Sequence, residues 1–548
     1  MMKLVPFASA SWLALTLSAC GGEDGRLPIV ELESETQTDT GTRSTEEAVP
    51  AVPPALDASD YAELVLPTGV GRAAIVPPGV TPSGPAPFEL SWRSCGVSGT
   101  RTVQCAELQV PLDYDNPESE RVLIALNRIL APADVEHRGS VLYNPGGPGG
   151  SGKELARGLA ANGNFDAIAP GFDIIGFDPR GVGDSSALEC EFIDEFLAGD
   201  TGTTPENAMA EMASKYGLEA VIDDWAWLSE QCRSYWGALF DHMGSNDVVR
   251  DIDAIRAALG EEQLNFLGAS YGTRLGALYA QTFPERVRAI VLDAPVAPRT
   301  SIVEQVQGQF DELLVVHEAF FAECDAGRIA CPPDARALFE AFVTSADSLG
   351  LLPQMLDNWQ YALSYSFALD YLPFLLDQQA TEPDAEWMYG HIGIFGGGDT
   401  SGFLQLTNIN CTDNAGPLLS VGDANARIDD AVASSPLFAG ALFPIINCNG
   451  WSVTPDPVAP LTAPLAPPIL VIAGAHDLRT PTQWGRDLAD SLESGVLLVS
   501  EHWGHTVAGD GSECVDGLVR DYFVNLALPP DGTVCPAPAT ATAAAPTE

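Results

Sequence analysis

Gly268-Ala269-Ser270-Tyr271-Gly272 sets a serine between glycines, directly after the apolar run Leu264-Asn265-Phe266-Leu267. The residues that follow, Arg274 to Phe283, read as a helix stopped by Pro284. Strand, sharp turn and helix in that order make a nucleophile elbow. The turn needs small neighbours, because a Cβ there would collide with the adjoining strand or helix, and it pushes the hydroxyl into the open. A serine is a poor nucleophile at neutral pH, so an imidazole must take its proton and a carboxylate must orient that imidazole.

On such a fold the acid and then the base follow the serine along the chain. The strand Ile469 to Ile472 runs into Gly474-Ala475-His476-Asp477-Leu478-Arg479-Thr480-Pro481, which sets Asp477 at a strand's carboxyl edge. The strand Val496 to Ser500 runs into Glu501-His502-Trp503-Gly504-His505-Thr506. Either histidine fits as the base; His505 is preferred, because the loop must extend several residues to reach back over the sheet and Gly504 frees it to do so. Other uses compete for each group. Asp477 also fits a cap of the helix starting near Thr480, Asp293 fits either an acid or the turn Asp293-Ala294-Pro295, and His476 and His502 read as supporting or surface residues. The joint order Ser270, Asp477, His505 favours the catalytic reading.

Acyl transfer also needs donors for the developing oxyanion. Asn144-Pro145-Gly146-Gly147-Pro148-Gly149-Gly150-Ser151-Gly152 follows the strand Val141 to Tyr143 and offers bare amides; the amide after the nucleophile, Tyr271, is the usual partner. Phosphate is the rival ligand, since Gly147, Gly149 and Gly152 fit Gly-x-Gly-x-x-Gly and Gly147 to Lys153 fit most of a P-loop. Against it, Glu154 stands where the metal-binding Ser/Thr belongs and Pro148 removes an amide.

The rest of the chain frames these motifs. Its 548 residues are 46% apolar, enough for a sizeable core, and carry a formal charge of -49 with lysine only at 3, 153 and 215. Nothing here could neutralise a nucleic-acid backbone. Strand-like runs at 141–143, 172–177, 265–267, 289–292, 469–472 and 496–499 alternate with amphipathic helices such as Val248 to Leu259, which Gly260 ends. That rhythm predicts an α/β fold, a mostly parallel sheet with helices on both faces. It breaks between about 298 and 457, where a helical insertion would make a lid over the site.

At the N-terminus, Lys3 and the apolar run Leu4 to Leu17 read as a secretory signal, and Leu17-Ser18-Ala19-Cys20 resembles a bacterial lipobox that would lipidate Cys20. The expected segments are a signal peptide at 1–19, a disordered acidic tether at 20–60, core at 61–297, lid at 298–457, core again at 458–535 and a disordered tail at 536–548. Cys20 apart, ten cysteines remain of eleven. Sequential pairing (95 with 105, 190 with 232, 324 with 331, 411 with 448, 514 with 535) would staple local loops in an exported protein, although sequence alone does not fix connectivity. No Cys-x-x-Cys occurs, so no zinc site is expected.

As a set these residues resemble the tripeptidyl aminopeptidase and prolyl aminopeptidase branch of the α/β-hydrolases, which includes secreted bacterial serine exopeptidases. The resemblance rests on residues 144–152, Phe177-Asp178-Pro179-Arg180-Gly181-Val182-Gly183-Asp184-Ser185, Gly268 to Gly276, Asp477 with Thr480-Pro481, Gly504-His505, Cys105 to Tyr114, and the segment holding Cys514 and Cys535. It spans most of 90–535. Thr506 after His505, where glycine is common, and Asp293-Ala294-Pro295 for the usual Asp-Gly depart from the pattern and bear on substrate detail.

The resemblance implies Ser270, Asp477 and His505 as the triad, the amides of Gly147 and Tyr271 as the oxyanion hole, and neither cofactor nor metal. It also implies a lid carboxylate for a substrate's α-ammonium. Glu304, Asp311, Glu312 and Asp413 are available; Asp413, after Asn408-Ile409-Asn410-Cys411, leads, with Glu304 beside it as a substrate-binding candidate. The expected partner is a peptide with a free N-terminus, with membrane contact only through Cys20. A carboxylesterase using the same triad, and a non-catalytic surface binding protein on a hydrolase scaffold, are the rival readings.

Overall fold

Strands β1 (Ile75–Val76), β2 (Arg93–Ser98), β3 (Arg101–Pro111), β4 (Arg121–Ile129), β5 (Ser140–Asn144), β6 (Asp173–Phe177), β7 (Leu264–Ala269), β8 (Val287–Asp293), β9 (Ile469–His476), β10 (Gly495–Trp503) and β11 (Thr533–Cys535) share one sheet. They belong to a computed structural model that describes residues 75–76, 90–190, 205–299, 301–349, 351–365, 368–381 and 400–537. The expected signal peptide, Cys20, the expected tether, residues 382–399 of the expected lid and 538–548 of the expected tail lie outside the described residues.

The sheet order is β11-β10-β9-β8-β7-β5-β6-β4-β3-β2, with β1 on β4. From β5 to β11 every pairing is parallel. Every residue of β5, β6 and β7 is buried, as strands covered on both faces must be. Val141 and Tyr143 point into one apolar cluster and Leu142 into the other, the alternation that a pleated strand imposes. β2, β3 and β4 add an antiparallel edge that extends the expected parallel sheet. Its signal is the period of two in β3, where Val103, Leu108 and Val110 are buried while Thr102, Glu107 and Gln109 are exposed.

Helices α1 (Gly152–Ala161), α2 (Asn164–Ile168), α3 (Pro205–Tyr216), α4 (Leu218–Trp236), α5 (Ser245–Ala258) and α6 (Gly272–Thr282) precede β8. Between β8 and β9 the regular structure is helical among the described residues: α7 (Ile302–Asp325), α8 (Ala335–Ser348), α9 (Leu352–Leu363), α10 (Ala368–Thr381), α11 (Thr400–Asp413), α12 (Val421–Ser434) and a 3₁₀ turn at Ala439–Ile446. Two more helices follow, α13 (Thr482–Ser491) and α14 (Glu513–Asn525). The insertion packs into the same apolar cluster as α5, α6 and α13, through Val306, Phe310, Phe320 and Trp359.

Helix α4 lies outside the insertion in sequence but is bound to it in space. Trp225 Nε1 donates to the Asn447 carbonyl at 2.9 Å, and an Arg233 amine donates to the Ser452 carbonyl at 2.7 Å. The five disulfides join 95 to 105, 190 to 232, 324 to 331, 411 to 448 and 514 to 535. Because β5 lies between β6 and β7, the build direction of the sheet reverses there, and the carboxyl ends of β5 and β7 open a crevice at the switch point.

Candidate active site

Two loops leave that crevice. After β7, Ser270 takes a left-handed φ of 55°, its N–H donating to the Asp293 carbonyl at 2.9 Å and its own carbonyl accepting from Thr273 N–H at 3.0 Å and Thr273 Oγ1 at 2.5 Å. A non-glycine residue with this φ is strained, and such strain clusters at functional positions. A Cβ on Gly268 would stand 2.4 Å from the Gly272 carbonyl oxygen, so the elbow closes only over glycine. After β5, a Cβ on Gly146 would lie 2.8 Å from both Ser270 Cβ and the Tyr271 nitrogen. The glycine-rich loop therefore rests directly against the elbow, with Asn144 Oδ1 accepting the Gly146 amide at 3.0 Å.

Asp477 and His505, the expected acid and base, come from the ends of β9 and β10. His505 Nδ1 is 2.8 Å from Asp477 Oδ2 and 3.1 Å from Oδ1. Facing a carboxylate, Nδ1 carries the proton, which leaves Nε2 as the free acceptor. Asp477 is buried; its Oδ1 also accepts the amides of Arg479 at 2.9 Å and Thr480 at 3.0 Å, and its Oδ2 accepts Thr480 Oγ1 at 2.7 Å. The turn role and the histidine-orienting role thus coexist in one carboxylate. His502 lies within β10, which runs further than its apolar core suggests, and its ring faces Asp510; His476 stacks on Trp503 at 4.5 Å.

Asp293 is the residue whose importance the sequence understated. Its carbonyl holds the Ser270 amide, while its buried Oδ2 accepts the amides of Val507 and Ala508, each at 2.9 Å. One residue thereby pins Ser270 and the loop that follows His505. Burial pushes its carboxyl up to about 6, against the pull of those two amides and of nearby His505.

The phosphate reading of the glycine loop meets two carboxylates. Ser151 Oγ donates to Asp178 Oδ1 at 2.6 Å while capping α1, and Lys153 pairs with Asp184 and lies 3.9 Å from Asp178. The cation and hydroxyl that a phosphate would need are already committed to anions.

Both leading lid acids are corrected. Asp413 was expected to offer a carboxylate to substrate, yet it is fully buried behind the elbow. Its Oδ1 accepts the Ser245 amide at 2.8 Å, and its Oδ2 accepts Ser245 Oγ at 2.6 Å and Tyr271 Oη at 3.1 Å, with Arg274 3.5 Å away. Burial raises its pKa, opposed by Arg274 and these donors. Glu304 closes a capping box with Ser301 at the start of α7, its Oε2 accepting Ser301 N–H at 2.9 Å. Glu312 stands differently. It is half-buried on α7, and its pKa is raised by burial and by the charge of Asp477.

Residues 139–320 match the family described as alpha/beta hydrolase fold, and residues 435–535 the one described as TAP-like protein. The chain is 36% identical over 480 residues to the tripeptidyl aminopeptidase of Streptomyces coelicolor, covering 79% of this chain and 84% of that one. The chain belongs to the tripeptidyl aminopeptidase branch of the α/β-hydrolases. It is also 32% identical over 499 residues to the serine protease Hip1 of Mycobacterium tuberculosis (81% of this chain, 91% of the relative). The same identity and length relate it to a carboxylesterase B of that organism (83% and 92%). As a member of this enzyme family, the protein is a serine hydrolase.

Proposed function

We propose that the protein is an exported aminopeptidase that releases single residues or short units from peptide N-termini through an acyl-enzyme on Ser270. The reading is carried by the 2.8 Å pair of Asp477 and His505, with the His505 loop tied through Asp293 to the strained Ser270 elbow. Ser270 Oγ attacks the scissile carbonyl as His505 Nε2 takes its proton, and the amides of Gly147 and Tyr271 receive the oxyanion. Each such donor is worth roughly 10²–10³ in rate. His505 then protonates the leaving amine, and a water activated by the same nitrogen hydrolyses the ester.

A free N-terminus needs an anion near this centre, and Glu312 is the acid best placed to supply it. On the same face of α7, Gly308 meets Trp484, and Gln309 Nε2 donates to the Arg479 carbonyl at 2.8 Å, so this face looks toward the Asp477 loop. An ammonium beside Glu312 would offset by its charge both the burial and the repulsion that raise its pKa. The carboxylesterase relative supports a second reading, ester hydrolysis at the same serine. Five disulfides support an oxidising compartment, with Cys20 as the proposed lipid anchor; Cys20→Ala should release the protein from the membrane fraction.

The test compares free with N-blocked peptides carrying one to three residues before the cleaved bond. Free peptides should turn over and blocked ones should not, Ser270→Ala should abolish turnover, and Glu312→Gln should raise KM for free peptides about tenfold, about 1.4 kcal/mol of binding. Equal turnover of free and blocked peptides would reject the aminopeptidase and leave the esterase.

A further inference from the structure

Besides the grip of Asp293 from the core, the loop of the base is held from the insertion. Ser364 caps the carboxyl end of α9 and is fully buried. Its carbonyl accepts the backbone N–H of His505 at 2.6 Å. Its hydroxyl accepts Arg479 Nε at 2.9 Å and donates to the Gln360 carbonyl at 2.8 Å. Arg479 lies two residues beyond Asp477 and donates its own amide to that carboxylate. One residue of the insertion therefore touches both loops that carry the acid and the base.

The arrangement has a physical logic. The last carbonyls of a helix have no partner within it, and an N–H in an irregular loop has none within the loop. Here each satisfies the other, and separating them would leave the carbonyl of the fully buried Ser364 without its partner. The guanidinium on the hydroxyl adds a charge-assisted bond, stronger than a neutral one.

We propose that Ser364 is a positioning residue: docking the end of α9 fixes the His505 and Asp477 loops relative to each other, so that the helical insertion completes the catalytic centre. The proposal rests on Ser270, Asp477 and His505 as the triad. Misplacement by about 1 Å is enough to cost roughly 10²-fold in rate, so a latch on the base acts on kcat.

Ser364→Ala keeps the carbonyl and removes the anchor of Arg479; Arg479→Met removes the other half of that bond; Ser364→Thr keeps the hydroxyl. With a short ester substrate, Ser364→Ala and Arg479→Met should each lower kcat about tenfold, with KM within about twofold. Phosphonylation of Ser270 by a fluorophosphonate should slow in parallel. The double variant should be no slower than the slower single one, and Ser364→Thr should recover most of the rate. Unchanged kcat in both single variants, additive losses in the double one, or a lost rate that tracks a lowered Tm would overturn the proposal. Turnover by Ser270→Ala would instead remove the triad assignment, whereas an inactive Ser270→Ala beside a fully active Ser364→Ala and Arg479→Met would remove only the latch.

Discussion

The sheet core and the helical insertion contribute to the site in different ways. The core supplies the proposed reacting groups, each at the carboxyl end of a parallel strand: Ser270 after β7, Asp477 after β9, His505 after β10 and the glycine loop after β5. The insertion supplies grips, and they sit at helix ends. Ser364 caps α9 and holds the His505 loop, and Asp413, the last residue of α11, holds Ser245 and Tyr271. The difference follows from where unpaired backbone is found. Strand ends in an open sheet present loops to a crevice, while helix ends present unsatisfied polar groups that must find partners wherever they are buried. A helical insertion can therefore hold its neighbour from its helix ends without adding a reacting side chain.

The sharpest way to break this contrast is at the core. Asp477→Asn keeps the shape but can impose the wrong tautomer on His505, and kcat should fall by about 10⁴ with the fold intact by circular dichroism. A loss below tenfold would mean that the acid lies elsewhere.

On the insertion side, Asp413→Ala removes a buried carboxylate beside Arg274 and should cost about 3–5 kcal/mol in urea unfolding. Insertion and core should still unfold in a single transition, because they share one apolar cluster. Two separated transitions would mean that the insertion is an independent body.

The smallest effect concerns the grip of the core on the base loop. An exposed aspartate titrates near 3.9, whereas Asp293, facing Tyr143, His505 and Asp477, is pushed up to about 6 by burial. Between those values the folded protein keeps a proton that the unfolded chain has lost. The contribution of Asp293 to stability therefore falls as pH rises through this window, by about 2–3 kcal/mol. Asp293→Asn should lack that fall, so its stability relative to wild type should rise between pH 4 and pH 6.5 in urea titrations. Parallel curves would show that Asp293 does not titrate in this range.

Local features of the site were legible because local chemistry sets them. A serine between glycines at a strand-to-helix turn, an acid and a histidine after later strands, and paired cysteines close in sequence each carry their signal within a few residues. Glu304 was legible too, since Ser301-x-x-Glu304 is a capping-box spacing. Asp413 was not, because the Ser245 and Tyr271 that occupy it stand 168 and 142 residues away in the chain. No local pattern distinguishes a buried carboxylate with distant donors from an open one.

The sequence by itself determined the elbow, the parallel α/β scaffold, the helical character of the insertion and the placing of Ser270, Asp477 and His505 each after a strand, all of which follow from periodicity and turn chemistry. Only the tertiary structure decided that Asp293 ties Ser270 to the base loop, that Asp413 anchors α11 behind the elbow, and that Ser364 meets His505. Those contacts depend on which helix end is buried against which loop, and that is fixed by packing across the whole molecule.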